Sequence, residues 1–169
     1  MQGASASPQR LRQLGWLLLS AAVIVLDQQS KTWIGSHLGL YEMWRILPVL
    51  NLTHLHNPGA AFDFLSAGSG WQRWLFAGLA GVASVALVAW LAWLESGARL
   101  LGAALSLILA GALGNLIDRL RYGYVVDFLD FHWGAAHFWS FNVADSAITV
   151  GAALLLLDSW LGSGRRGGA

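Results

Sequence analysis

Residues 111–145 read GALGNLIDRLRYGYVVDFLDFHWGAAHFWSFNVAD and join two very apolar runs through a short polar and aromatic connection. Asn115, Asp118 and Arg119 close the first run, Asp127 stands in the connection, and Asn142 and Asp145 open the second run. With both runs taken as membrane-spanning helices, the chain leaves the bilayer near residue 120 and returns near residue 142. Asp127 and Asp145 then lie at one membrane edge, where they are free to meet.

The composition of the 169-residue chain supports that assignment: 56% of residues are hydrophobic and 11% charged, against about 25% charged in ordinary soluble domains. Ten Trp and three Tyr suit side chains that keep the ring in lipid and the polar tip among headgroups. A net charge of +1 offers no basic surface for many phosphates and excludes a nucleic-acid partner. The absence of cysteine removes a disulfide framework, a thiolate metal site and a cysteine nucleophile.

Working outward, the apolar runs predict four spans in one membrane domain, at residues 14–37, 71–94, 99–120 and 143–161, with outer connections at 38–70 and 121–142. The run at 14–26 behind Arg10 and Arg12 imitates a signal peptide, but Asp27, Gln28, Ser30 and Lys31 follow it in place of a small-x-small cleavage site. Asp27 falls about 20 Å along a helix from residue 14, near the edge of a hydrocarbon core about 30 Å thick. A carboxylate there needs a partner, and Lys31 is one helical turn away. Spans two and three, joined by residues 95–98, form a hairpin in which Gly78, Gly81, Ala83 and Ser84 permit close helix approach.

In the first outer connection, Val49, Leu50, Leu52, Thr53 and Leu55 predict one or two short strands, ended by a turn at Asn57-Pro58-Gly59. In the second, FHWGAAHFWSF at residues 131–141 suits a short interfacial segment lying flat at the membrane edge or closing over a ligand. The fold expected is an all-α polytopic membrane protein of four transmembrane helices with a small β element. Four spans put both termini on one side. Lys and Arg divide evenly between the sides, and the arginine pairs flanking the first and last spans, Arg10 with Arg12 and Arg165 with Arg166, point to cytoplasmic termini.

Two carboxyl groups brought close together cannot both ionise cheaply, so the pair Asp127 and Asp145 would hold one proton and offer an acid and a base at once. That is the equipment for hydrolysis by an activated water. The plainer alternative is that Asp145 caps a helix and Asp127 is a solvated loop residue. Asn115, Asp118 and Arg119 share one helix face at i, i+3 and i+4, as do Asn142 and Asp145. Such a face either supports a site or clamps helices together, with Arg119 neutralised by a carboxylate. Gly111 and Gly114 admit a neighbouring helix backbone or an extended peptide. Asp158 and Glu95 read as interfacial residues.

His54 and His56 alternate as in a strand, and His132 and His137 lie in the other connection, but no His-Glu-x-x-His spacing accompanies them, and the reading is of no metal and no cofactor. Ser69 in AGSGW lacks the glycines of a nucleophile elbow. A proton-coupled transporter with Asp and Arg along a pathway is the rival, and a purely structural subunit the third possibility. The polar residues cluster at the outer span ends, whereas a pathway needs them at several depths.

Five motifs in order resemble the bacterial lipoprotein signal peptidase family, also called signal peptidase II. They are Asp27-Gln28 with Ser30-Lys31; Asn57-Pro58-Gly59-Ala60-Ala61-Phe62; Gly111, Gly114, Asn115, Asp118 and Arg119; Val126-Asp127-Phe128; and Phe141-Asn142-Val143-Ala144-Asp145 with Ile148. The resemblance covers most of the chain. It implies a four-helix aspartyl endopeptidase of the bacterial inner membrane, acting as a monomer among membrane lipids, with a periplasmic β element and lid. It implies cleavage of prolipoproteins just before a diacylglyceryl-modified cysteine, and inhibition by the cyclic peptide globomycin. Position by position it implies that Asp127 and Asp145 are the catalytic pair, and that Asn57, Asn115, Arg119 and Asn142 line the site, with Gly111 and Phe141 beside them. Asp27, with Lys31 and Asp118, would hold the bundle together.

Overall fold

Long runs of Leu, Ala and Val with few helix breakers fold into helices, and the computed structural model has four: α1, Pro8–His37; α2, Trp71–Ala92; α3, Arg99–Arg121; and α4, Val143–Arg166. It describes residues 8–59, 70–95 and 97–166, with side chains only between 13 and 161. The motif residues Ala60, Ala61 and Phe62, the loop residue Ser69, and the side chains of Arg10, Arg12, Arg165 and Arg166 lie outside the described residues.

Among the described residues, three helices are long and apolar enough to cross a membrane: α2, α3 and the part of α4 at Val143–Leu161. α1 falls short by composition, because the polar stretch from Asp27 to Lys31 interrupts its apolar run.

α3 is the hub of the bundle and packs against the other three helices. Its buried face is built from small residues, among them Gly102, Ala104, Ser106, Ala110, Gly111 and Gly114. Small faces let backbones approach where lipid supplies no hydrophobic drive for association. At Gly111 the approach is closest: a Cβ there would fall on the carbonyl oxygen of Ala144 in α4. Leu91 and Leu94 pack against Leu105 and Leu109 where α2 leads into α3.

The expected small β element is present, and it draws on more of the chain than the first connection alone. Both outer connections contribute to one antiparallel sheet, in the order β1 (Met43–Leu47), β2 (Leu50–Asn57), β3 (Val125–Trp133) and β4 (Ala136–His137). The strand expected from residues 49–55 is β2, and β1 lies before the residues that carried that expectation. Residues 131–141 are not a separate interfacial segment: they complete β3, turn, form β4 and return along the sheet, where Phe141 pairs with Leu129. The cause is the run from Val125 to Trp133, rich in β-branched and aromatic residues, which finds in β2 a partner supplied by the other connection.

The pairing of β2 with β3 sets Leu55 opposite Asp127 and Asn57 opposite Val125, after a register shift between Leu52 and Leu55. Val126 and Phe128 pack on Ile34 and Leu38 at the end of α1, so the sheet is seated on the bundle. Two segments some seventy positions apart are thereby brought to the same end of α3 and α4.

Candidate active site

Asn142 is the first residue to consider, because its side chain touches both candidate carboxylates' surroundings and is fully buried, at 0% exposure. It precedes α4, and its Oδ1 accepts the backbone N–H of Asp145 at 2.9 Å. That is the N-cap arrangement in which an Asn side chain satisfies a helix-start amide three residues on. The cap is therefore Asn142, which corrects the alternative that gave the capping role to Asp145. From the same amide, Nδ2 donates to Asp127 Oδ1 at 2.7 Å, with longer contacts to Val126 O at 3.3 Å and Asn115 Oδ1 at 3.4 Å.

Asp127 itself is 3% exposed. Its other oxygen, Oδ2, accepts from Asn57 Nδ2 at 2.9 Å. No ammonium or guanidinium of the described residues forms an ion pair with it. Burial pushes its carboxyl up from 3.8 to about 6. The Asn57 bond opposes that rise, the negative charge of Asp145 adds to it, and Asn142 and the more distant Lys31 oppose it.

Asp145 lies in the first turn of α4, half-buried, and its Oδ1 accepts from Asn115 Nδ2 at 2.7 Å. Both aspartates line one cleft of about 580 Å³, walled by Asn57, Phe138, Trp139, Ser140 and Phe141, and continuing down α4 along Ser146, Thr149 and Val150. A second hollow of about 320 Å³, with Leu55 and Pro58 in its wall, shares Asn57, Asp127, Trp139 and Ser140 with the first. The floor carries the acids, and most of the wall is apolar or aromatic.

Beneath the pair runs a second polar cluster. Lys31 Nζ, 5% exposed, lies 2.8 Å from Asp27 Oδ2 and 2.9 Å from Asp118 Oδ2, and donates to Asn115 Oδ1 at 3.1 Å. Its three protons each have an acceptor. Asp27 Oδ1 accepts the N–H of Ala144 at 2.8 Å, and Asp118 Oδ2 accepts the N–H of Val126 at 3.2 Å. Gln28 Nε2 completes the cluster with a 2.8 Å bond to Asp118 Oδ1. Asp27 from α1 thus holds the start of α4, and Asp118 from α3 holds β3 one residue before Asp127. The expected pairing of Asp27 with Lys31 is present; the partnership of Asp118 is what sequence spacing missed.

Two expectations need adjusting. Arg119 meets no carboxylate of the described residues at ion-pair distance; it donates to Asn115 O at 3.2 Å and lies 5.4 Å over the Phe76 ring. Gly111 faces the backbone of α4 and is absent from the cleft wall, so its smallness serves helix packing. The four histidines stand as two separate pairs. His54 Nδ1 is bonded to Leu38 O at 2.9 Å and its Nε2 lies 3.2 Å from His56 Nε2, while His132 and His137 stack on each other at the far end of β3.

The sequence profile of the family described as Signal peptidase (SPase) II matches residues 19–161. The chain is 53% identical over 148 residues to a lipoprotein signal peptidase of Shewanella halifaxensis, covering 88% of this chain and 87% of that one. It is 46% identical over 148 residues to one from Yersinia enterocolitica, covering 88% of each. Two bacterial membrane enzyme structures determined in meso have the same fold. The one at 2.3 Å resolution has a TM-score of 0.78 at 31% identity, covering 88% of this chain and 89% of that one. The one at 1.9 Å has a TM-score of 0.75 at 33% identity, covering 85% and 90%.

Proposed function

The chain belongs to the signal peptidase II family and is accordingly a membrane peptidase that removes signal peptides from prolipoproteins; we propose that it does so with Asp127 and Asp145 as a catalytic pair activating water. The observation that carries the pair is its setting. Two carboxyl groups from separate segments line one cleft; Asn142 bonds the Asp127 carboxyl and the Asp145 backbone N–H, and the side-chain donors to the two carboxyls are the amides of Asn57, Asn142 and Asn115. Amides orient carboxylates without neutralising them, so the pair is left to share a proton.

With one proton on the pair, the ionised carboxylate takes a proton from a water as that water attacks the scissile carbonyl carbon. The protonated partner donates to the carbonyl oxygen, giving a tetrahedral diol. Collapse returns a proton to the leaving nitrogen, breaks the C–N bond and leaves a carboxylic acid on the signal peptide. Water is consumed and the pair regains its starting single proton. No covalent enzyme intermediate is required.

The substrate suits the cleft. A prolipoprotein whose cysteine carries diacylglyceryl arrives laterally, its signal helix and acyl chains in lipid alongside the Thr149 and Val150 wall, while water enters from the outer side. In this reading α1 is the fourth span. Lys31 answers its buried carboxylate, which lowers the cost of placing that turn near the membrane edge. A single chain in the bacterial inner membrane, with cytoplasmic termini and the cleft at the periplasmic face, then follows. Asn57, Asn115 and Asn142 align the acids, Phe141 forms part of the wall, and Arg119 adds positive charge nearby without pairing.

The test is cleavage of a diacylated prolipoprotein by purified protein in detergent, alongside Asp127→Asn and Asp145→Asn. Loss of turnover in both variants, with folding retained, is expected. Turnover near the parent's in either one removes that residue from the chemistry.

A further inference from the structure

Three residues past Asp127 on β3 stands a second buried carboxylate that hydrolysis does not use. Asp130 is 3% exposed and shares no hydrogen-bond partner with Asp127. Asn51 Nδ2 on β2 donates to its Oδ2 at 2.9 Å, and His137 Nδ1 on β4 reaches its two oxygens at 3.0 and 2.9 Å. One carboxylate therefore ties three strands together. The His137 side chain keeps 46% of its surface exposed, so the pair sits at the rim, with the acid inside and the imidazole lying over it.

What this pair holds is the strap that walls the cleft. The chain leaves β4 at His137 and reaches the cap residue Asn142 five positions later (137 to 142), and Phe138, Trp139, Ser140 and Phe141 between them all line the cleft. Phe138 N–H donates to Phe131 O at 2.6 Å, and Phe141 exchanges bonds with Leu129 at 3.0 and 2.8 Å. Trp139 and Ser140 make no hydrogen bond with the described residues. They also stand in the walls of both hollows that meet at Asp127, forming the ridge between them. An unpaired stretch of backbone beside the acids, fixed at both ends, is what an extended peptide main chain pairs with. Asn142 fixes its inner end. The outer end depends on β4, a strand of only two residues, and on Asp130 with His137.

We propose, resting on the peptidase reading, that Asp130 and His137 are positioning residues that hold the Trp139–Ser140 backbone as a ledge for the extended main chain of the substrate around the cleaved bond. They touch neither water nor the reacting carbonyl. Loosening them costs substrate binding and leaves the chemistry of bound substrate intact, because the acids keep their own amide partners.

Steady-state kinetics on a diacylated prolipoprotein test this. His137→Leu, which removes the donor at an exposed position, is expected to raise KM about tenfold, the scale of one hydrogen bond to a charged group, with kcat nearly unchanged. His137→Asn places an amide N–H close to the position of Nδ1 and should recover most of the loss. Asp130→Asn should raise KM similarly, and combining it with His137→Leu should add little, because each variant breaks the same link. An unchanged KM in His137→Leu, a fall in kcat alone, or equal losses in the Leu and Asn variants overturns the assignment. Failure of the peptidase reading looks different: the parent protein leaves the lipidated substrate uncut, or Asp127→Asn cuts it.

Discussion

Two acidic pairs lie within one bundle and are answered in opposite ways. Asp27 and Asp118 share the ammonium of Lys31 and also accept the backbone N–H groups of Ala144 and Val126 and the amide of Gln28. Asp127 and Asp145 have the amides of Asn57, Asn142 and Asn115 and no ion-pair partner among the described residues. A buried carboxylate next to a fixed cation has its charge balanced and serves as a joint between helices. One that meets only amides must hold a proton or carry a buried charge, and is available for proton transfer. Residue type alone does not separate the two pairs. Their partners do.

The comparison breaks most sharply if the same substitution behaves alike in both pairs. Asp127→Asn and Asp145→Asn should lower turnover by about a thousandfold or more without lowering the detergent unfolding temperature below that of the parent. Asp27→Asn and Asp118→Asn should instead lower the unfolding temperature, because each leaves Lys31 short of a buried counter-charge. Removing the cation itself is the next largest effect. Lys31→Met strands two buried carboxylates, and a loss of about 3–5 kcal/mol is expected, read as unfolding at lower temperature or denaturant.

A finer test uses pH. The folded value of Asp127, about 6, stands above its ordinary 3.8, so the native protein binds the extra proton between those values. This contribution favours the native state at low pH and is lost as pH rises from about 4 to 6. Asp127→Asn should remove that slope and make the protein more stable above pH 6. For activity, the singly protonated pair is depleted as pH rises, placing an alkaline limb on kcat/KM near the value of Asp127. Asn57→Ala removes a bond that favours the charged form, so the limb should move to higher pH. The smallest expected effect is none at all: EDTA should leave cleavage unchanged, since the histidines stand as two separated pairs and the acids need only water. Chelator-sensitive turnover would put the metal reading back in play.

Much of the site was legible in the sequence because it is carried by short-range signals. Asn142 with Asp145 at i+3 is a helix-start pattern, Asp27 with Lys31 is a one-turn ion pair, and the small residues of α3 mark a face for close packing. The run Val125–Trp133 also carried a strand signal, in its β-branched and aromatic residues interrupted by Asp127 and Asp130. It was obscured by the His- and Trp-rich stretch that follows. Arg119 illustrates the limit: adjacent acids in sequence suggest an ion pair, yet the side chain packs on Phe76 and bonds to Asn115 O.

By itself, then, the sequence determined four long helices, the polar character of their outer ends, and the order in which the acids and amides appear along the chain. Helical periodicity and capping are properties of neighbouring residues, and they survive in any arrangement of the helices. Only the tertiary structure decided that both outer connections join in one sheet, that Asn57 meets Asp127, and that Lys31 goes to Asp27 and Asp118 while amides go to the other two acids. Those pairings link residues as many as 117 positions apart, as in Ala144 with Asp27. Contacts at that range are chosen by which surfaces can be buried together with every charge and amide answered, a condition of the whole bundle that no local pattern encodes.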